Sequence, residues 1–376
     1  MLRLREKSCR RWQGCHHRRS QRLTSLCAQP KRNPPFWLFV FLCLPVESAS
    51  PLVIVDPGQG PVPLAGGSGG GLSGIAFRSK NQYFTVSDSG SVMFHTTIDV
   101  NSESGFITGS PSIGTPVALS QGIDLEGITY DPTDNTVIVS DETGPTLRRH
   151  SIAGASRFEI PIPAVYANSR LNFGLESVSM QFGTSALWTA NEEALSGDGR
   201  LSTTVQGSAI RVTNLSSNEQ WVYITDPIRQ SFLGNERSGV VDIIALAADR
   251  LLVLEREFSF GFRNRIYEVD FSEATNVADL PALDTNANQD LDDETWRPLR
   301  KGTPLWEQSF LLTNFEGTTL GPRLRNGDHA LLLVSDDEGG LNQSVYMLHL
   351  SGTIPEPSTL SLLFLLVVQS ARRRRR

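Results

Sequence analysis

The feature that most constrains this fold is a strand–turn–strand unit that occurs five times, each copy with carboxylates at its open end. The clearest copy runs from Asp124-Leu125-Glu126-Gly127-Ile128 through a turn, Asp131-Pro132-Thr133-Asp134-Asn135, to Val137-Ile138-Val139-Ser140-Asp141-Glu142. β-Branched and aromatic residues flank a run of turn formers, which predicts an antiparallel hairpin. The first strand of such a hairpin starts beside the end of the second. Glu126 is therefore expected near Asp141 and Glu142.

The other copies are Leu72–Phe77 with Tyr83–Asp88, Gly174–Val178 with Leu187–Glu193, Ser238–Ile244 with Leu252–Arg256, and Asn314–Gly317 with Leu331–Glu338. The acids closing the second strands, Asp88, Asp141, Glu192, Glu255 and Asp336, recur at roughly 50 to 80 positions. Compact propeller blades repeat at roughly 40 to 50 residues, so the period suits four-stranded blades with inserted loops. Ala209–Val212, Gln220–Ile224 and Arg265–Val269 read as outer strands, and no long stretch keeps a helical period. The prediction is an all-β propeller with five visible hairpin repeats. A sixth blade, built from Leu52–Val55 and Val345–Leu350, is expected to close the ring.

The ends are of another kind. Basic residues 1–35, the apolar run Phe36–Leu44 and small residues Ser48-Ala49-Ser50 form a secretory signal over residues 1–50, too short to span a membrane. All four cysteines precede residue 50, so the exported chain has no thiol for a disulfide or a thiolate metal site. Residues 51–70 are largely Gly and Pro and read as an approach segment to a propeller over 71–352; their Gly66–Gly70 run matches a nucleophile elbow only formally. In the tail, 353–376, Pro355-Glu356-Pro357 precedes an apolar run and five arginines, an arrangement that holds a chain transiently in a membrane.

With the ends set aside, residues 51–354 hold 37 acidic against 19 basic residues, a net charge of about −18 where the whole chain carries −6. That surface repels nucleic acid and attracts cations. In a ring of hairpins, Glu126, Glu176, Asp242 and Glu316 would meet Asp88, Asp141, Glu142, Glu192, Glu193, Glu255, Asp336 and Asp337 at one rim. So many anions require neutralising cations, and an all-oxygen donor set favours Ca²⁺. Arg256, Arg265 and Lys301 are the internal cations on offer. The same acids would also serve to cap turns or bond neighbouring amides. Asp284–Glu294 alternates oxygen side chains as calcium loops do, but Gln289 stands where such a loop has glycine and Thr295 where it has glutamate. The four histidines of the body, His95, His150, His329 and His349, show no ligand spacing.

Taken together, Gly71-Leu72-Ser73-Gly74, Leu125-Glu126-Gly127, Ser140–Pro145, Gly174-Leu175-Glu176, Leu252–Arg256, Ile266-Tyr267, Asn314–Gly317 and Val334–Asp337 resemble the phytase-like family, also called esterase-like activity of phytase. The resemblance covers roughly residues 70–350 and implies a secreted β-propeller that hydrolyses phosphate esters or other esters. Ser177 stands where the family often has glycine, and Asp242 stands in for the longer glutamate. The tail resembles the PEP-CTERM sorting signal. It implies processing by an exosortase that reads Pro355, Glu356 and Pro357, and delivery to the cell surface or extracellular matrix.

Two functions follow as expectations. In the first, Glu126, Asp141, Glu192, Glu255, Glu316 and Asp336 ligate Ca²⁺, Glu142 or Glu176 takes a proton from water, and Arg256 and Lys301 hold the oxygens of a phosphorylated small molecule. In the second, the propeller is a non-catalytic module that binds matrix polysaccharide or protein. The sorting tail favours the second, and the body's poverty in lysine, Lys80 and Lys301 alone, counts against a highly anionic substrate such as phytate.

Overall fold

Apolar runs without alternation, Val137-Ile138-Val139, Leu251–Leu254 and Leu331–Val334, mark strands buried on both faces. A computed structural model, which describes residues 50–66, 71–122, 124–232, 234–283, 296–336 and 343–354, shows how both faces are used. Leu331 and Leu333 pack towards the preceding blade, while Ala330, Leu332 and Val334 pack towards the following one. Ile138 likewise faces away from Val137 and Val139. The period of two along a strand thus serves two separate cores.

The strands form five antiparallel sheets. Blade one comprises Leu72–Ser79, Gln82–Ser87, Val92–Val100 and Ile107–Ala118; blade two comprises Leu125–Asp131, Thr136–Asp141, Thr146–Ser151 and Ser156–Ile160. Blade three is Leu175–Met180, Leu187–Asn191, Ala209–Asn214 and Glu219–Ile224. Blade four is Arg237–Ala247, Arg250–Ser259 and Gly261–Asp270, with Arg300–Lys301 and Trp306–Phe310 sharing its outer edge. Blade five is Phe315–Arg323, His329–Ser335 and Ser344–Ser351, completed by Val53–Val55 from the other end of the chain. The first-named strand of each blade packs against its counterpart in the next, and the fifth against the first, so these five line the axis. One apolar cluster fills each of the five seams between blades. The described residues contain no α-helix, only the short 3₁₀ turn Ala164–Asn168.

The sixth blade is absent among the described residues. Its two expected strands do pair, Val53 with Ser351 and Val55 with His349, but as the outer half of blade five. A single sheet therefore closes the ring with strands from both ends of the propeller, removing an open edge. The leader, the Asp284–Glu294 loop and the sorting motif from Pro355 onward lie outside the described residues.

Side chains lace the axial strands together. The hydroxyls of Thr129, Ser179 and Thr319 accept the backbone N–H groups of Met180, Ala245 and Phe77 on the following blade, at 3.1, 3.0 and 3.1 Å. Blade four has Ile244 at this position, and the Asp242 carboxylate takes over, accepting the Thr318 N–H at 2.6 Å. Gly127 and Gly317 let the strands approach directly, since a Cβ on either would lie 2.6 Å from the neighbouring backbone.

Candidate functional site

Each axial strand carries a β-bulge in its first half. The register slips after Leu72, Leu125, Leu175, Val240 and Phe315, which pair with the last residue of the second strand in every blade but the fourth, where Val240 pairs with Glu255 inside Arg250–Ser259. The residue after that apolar anchor is Ser73, Glu126, Glu176, Val241 or Glu316. A bulge re-aims a side chain that the regular pleat would hold on the sheet face, and here it sends Glu126, Glu176 and Glu316 into one axial mouth.

A second ring comes from the residue that follows each second strand's pairing partner. In blade order these are Asp88, Glu142, Glu192, Arg256 and Asp336, and all five line the mouth. Glu142, Glu192, Arg256 and Asp336 each lean over the lead-in residue of the next blade. A Cβ on Gly71, Gly174 or Gly239 would strike Asp336, Glu142 or Glu192. Asn314, the lead-in of blade five, accepts an N–H from Arg256 at 3.2 Å. Asp124 is the acidic lead-in of blade two and completes the set with Asn172 and Phe173 from the 170–173 turn. The cleft holds about 260 Å³.

The charge balance of this mouth is extreme. Eight carboxylates face one guanidinium, Arg256, whose two Nη atoms bond Glu192 and Glu316. Asn314 donates to the same Glu316 oxygen at 2.7 Å, and Glu142 accepts the Gly174 N–H at 2.7 Å. Burial, followed by repulsion from neighbouring acids, drives Glu126 and Glu176 well above the ordinary carboxylate range. Burial raises Glu142 to about 8, with Glu192 adding to the rise, and Glu316 to about 8 against the pull of Arg256. Beside the ring, Glu193 is raised to about 7 by burial and by Glu192. Without a cation, these groups relieve their repulsion only by holding protons.

Two triads of acids present oxygens that all lie within 4.8 Å of one another: Asp124 with Glu126 and Glu142, and Glu142 with Glu176 and Glu192. Two oxygens on opposite sides of a Ca²⁺ ion stand about 4.6–5.2 Å apart, twice the usual Ca–O distance. The residues present therefore fit a hard cation in each triad, and Glu142 belongs to both.

The structure brings Glu126, Glu142, Glu176, Glu192, Arg256, Glu316 and Asp336 together and places three expected site residues elsewhere. Asp141 and Glu255 are the pairing partners of Leu125 and Val240, one residue before the ring position. A one-residue step along a strand reverses the face. Asp141 turns to Arg148 at 3.5 Å. Glu255 is buried in a separate network, where it takes Arg265 at 2.7 Å, Tyr223 Oη at 2.7 Å and Lys301 at 2.9 Å. Lys301 lies on the outer edge of blade four, between the Tyr223 and Tyr267 rings at 4.8 and 4.4 Å, with Asp226 at 2.6 Å. All its charge is committed there. Asp242, expected at the rim, occupies the position that is glycine in Gly74, Gly127 and Gly317, and bonds the seam instead. Asp124 and Asn314 are ring members that the acid repeat alone did not mark. Their signal was their place immediately before the apolar anchor.

A five-bladed propeller with an acidic axial mouth is the class that these features define. The sequence profile of the phytase-like family, described as esterase-like activity of phytase, matches residues 68–339, and the chain belongs to that family. No curated protein sequence matches the chain. Among solved structures, the WD40 β-propeller domain of Doa1 is similar at 10% identity, covering 77% of this chain and 97% of that one with a TM-score of 0.36. Kuenenia stuttgartiensis hydrazine synthase matches at 10% identity over 73% of this chain and 79% of its own, with a TM-score of 0.35. A streptogramin B lyase matches at 12% over 81% and 98%, with a TM-score of 0.32.

Proposed function

We propose that the acidic mouth hydrolyses a phosphate ester with divalent metal, Ca²⁺ by the all-oxygen donor set, in an exported protein. The observation that carries this reading is the pair of carboxylate triads sharing Glu142 inside a cleft whose acids are too crowded to ionise together. Asp124, Glu126, Glu142 and Glu192 would hold the cations, with Glu316 and Asp336 at the rim. The bound metal would offset phosphate charge and lower the pKa of a water in its shell.

The residues of the chain supply the rest. Glu176 belongs to the same triad as Glu142 and Glu192 and is placed to take the proton of the attacking water as its oxygen bonds to phosphorus. The bond from phosphorus to the alcohol oxygen breaks, that oxygen takes a proton from solvent water, and Glu176 returns its own proton to solvent, so water and ester give phosphate and alcohol. Arg256 is already bonded to Glu192, Glu316 and Asn314, which makes it a positioning group for those acids. A cleft of about 260 Å³ suits one phosphoryl group and part of its alcohol, below the usual size of sites for larger ligands.

The test is phosphate release from a panel of simple phosphomonoesters and carboxylic esters, in Ca²⁺ and in chelator. Phosphate release that requires Ca²⁺ and is lost in Glu176→Gln supports the reading. No turnover of any ester in excess Ca²⁺ would sink it. Calcium-dependent thermal stability without turnover would instead identify a structural ion and favour the matrix-binding alternative, to which the Pro355-Glu356-Pro357 tail belongs.

A further inference from the structure

The acidic mouth holds about 260 Å³, and among the described residues Phe173 is its one apolar lining residue. An ester seated there by its phosphoryl group must carry the rest of its alcohol out over the rim. Two chain segments border that rim. Arg256, a lining residue, leads within four residues to the tip of the hairpin between Arg250–Ser259 and Gly261–Asp270, and a strand advances about 13 Å over that length. Asn314, another lining residue, follows Leu311-Leu312 by two positions.

The hairpin sorts its side chains by the period of two. Glu257 and Arg263 are register partners and form an ion pair at 3.5 Å on one face, and Arg229 adds a second pair to Glu257 at 3.1 Å. Phe258 and Phe262, one step along, meet on the other face with ring centroids 5.3 Å apart. The tip turns at Gly261, whose φ of +82° suits glycine alone. A Cβ there would lie 2.6 Å from the Phe310 carbonyl oxygen and 3.1 Å from Leu311 Cα, so the tip and the Leu311-Leu312 segment run against each other. Phe260 at the tip is 78% exposed, Leu311 64% and Leu312 58%. Singly exposed apolar side chains are ordinary. Three on adjoining segments beside a charged cleft form an apolar ledge.

We propose that this ledge selects the alcohol of the ester. The mouth prefers phosphate monoesters of long apolar alcohols, with the phosphoryl group at the carboxylate triads and the chain laid over Phe260, Leu311 and Leu312. The inference rests on the phosphate-ester reading and narrows its substrate class. The step is the same hydrolysis: the water oxygen bonds to phosphorus, the bond from phosphorus to the alkyl oxygen breaks, and alkyl phosphate and water give phosphate and alkanol. The ledge removes apolar surface of the chain from water. It does so equally before and during the step, so its effect falls on KM.

The experiment measures phosphate release from octyl phosphate and ethyl phosphate in saturating Ca²⁺. In parallel the intact protein is titrated calorimetrically with octylphosphonate and ethylphosphonate, which it cannot hydrolyse. The kcat/KM for octyl phosphate is expected to be at least about tenfold the higher, nearly all of it in KM, with octylphosphonate the tighter ligand by a similar factor. Phe260→Ser/Leu311→Ser/Leu312→Ser should bring both ratios close to one. Phe260→Leu/Leu311→Met/Leu312→Met should keep them, which separates loss of apolar surface from loss of fold. Phe158→Ser, at an exposed apolar residue on the outer strand of blade two, should leave them unchanged. Phosphate release at equal kcat/KM from the two esters, or a preference that survives in the triple serine variant, overturns the ledge and leaves the hydrolase reading standing. If neither ester is hydrolysed, the hydrolase reading falls and the phosphonates decide for the ledge: tighter binding of octylphosphonate supports it, and equal affinity or no binding overturns it.

Discussion

The two mouths of the axis are built from the same five strands and have opposite chemistry. At one end, bulges turn glutamates inward and a ring of Asp88, Glu142, Glu192, Arg256 and Asp336 surrounds them. At the other, the lining is mostly apolar, with Ile75, Ile128, Val178, Ile243 and Leu320 among it, and no Asp or Glu among the described residues lines it. The contrast shows that a slip at the same point of every axial strand aims glutamates into one mouth only where the sequence supplies a glutamate after the apolar anchor. The two ends also differ in charge: eight carboxylates face Arg256 at the acidic mouth, while Arg78, Arg323 and His329 line the far one.

The comparison breaks first if the acidic mouth does no chemistry. Glu176→Gln is expected to lower metal-dependent phosphate release by about 10²–10⁴-fold, the usual worth of a positioned general base, measured as initial rates in saturating Ca²⁺. Next in size is Arg256→Ala. It strands Glu192 and Glu316 in a buried cleft, and breaking a buried ion pair in this way costs about 3–5 kcal/mol. Denaturant unfolding in chelator reads that loss, and added Ca²⁺ should restore part of it.

The third prediction concerns pH. Glu142 is raised from 4.5 to about 8 by burial and Glu192, and Glu316 to about 8 by burial. Between those values the metal-free folded state holds protons that the unfolded chain has lost, so stability must fall as pH rises from about 4.5 to about 8. Thermal midpoints in chelator should decline over that window, and Ca²⁺ should raise the midpoint more at pH 8 than at pH 5. A flat profile in chelator would mean that these acids are not crowded in solution.

Smaller effects belong to the frame around the mouths. Asp242→Ala removes the acceptor for the Thr318 N–H at the seam between blades four and five and should cost about 1–3 kcal/mol, with little change in turnover once metal is bound. Lys301→Met should change activity least. Its charge is spent on Glu255 and Asp226, and Arg265 remains at 2.7 Å to hold Glu255. A large loss of activity in Lys301→Met at unchanged stability would redraw the site.

Much of this was readable from residues alone. Continuous apolar runs such as Leu331–Val334 announced doubly buried strands, and the recurring apolar–Glu pair at Leu125, Leu175 and Phe315, followed by glycine in two of the three, marked the axial hairpins. The membership of the ring was harder, because a bulge inserts one residue that a count of alternating positions does not register. Asp141 and Glu142 are neighbours in the chain and face different surroundings, as do Glu255 and Arg256. Blade four shows the limit clearly. Its acid, Asp242, lies one position beyond the bulge and its ring residue is an arginine, so the copy keeps the strand pattern while losing the acidic one. The expected sixth blade failed for a different reason: Val53–Val55 and Val345–Leu350 were the right partners, but one strand of three residues completes a sheet and does not start a new one.

That clasp has a consequence for how the molecule comes into being. Val53 pairs with Ser351, so one of the earliest segments of the propeller to be synthesised must wait for one of the last before its sheet is complete. Until then the ring stands open between its fifth and first sheets, and every earlier blade has formed on an unfinished circle. A chain with this wiring becomes a closed ring only when its last strand has been made.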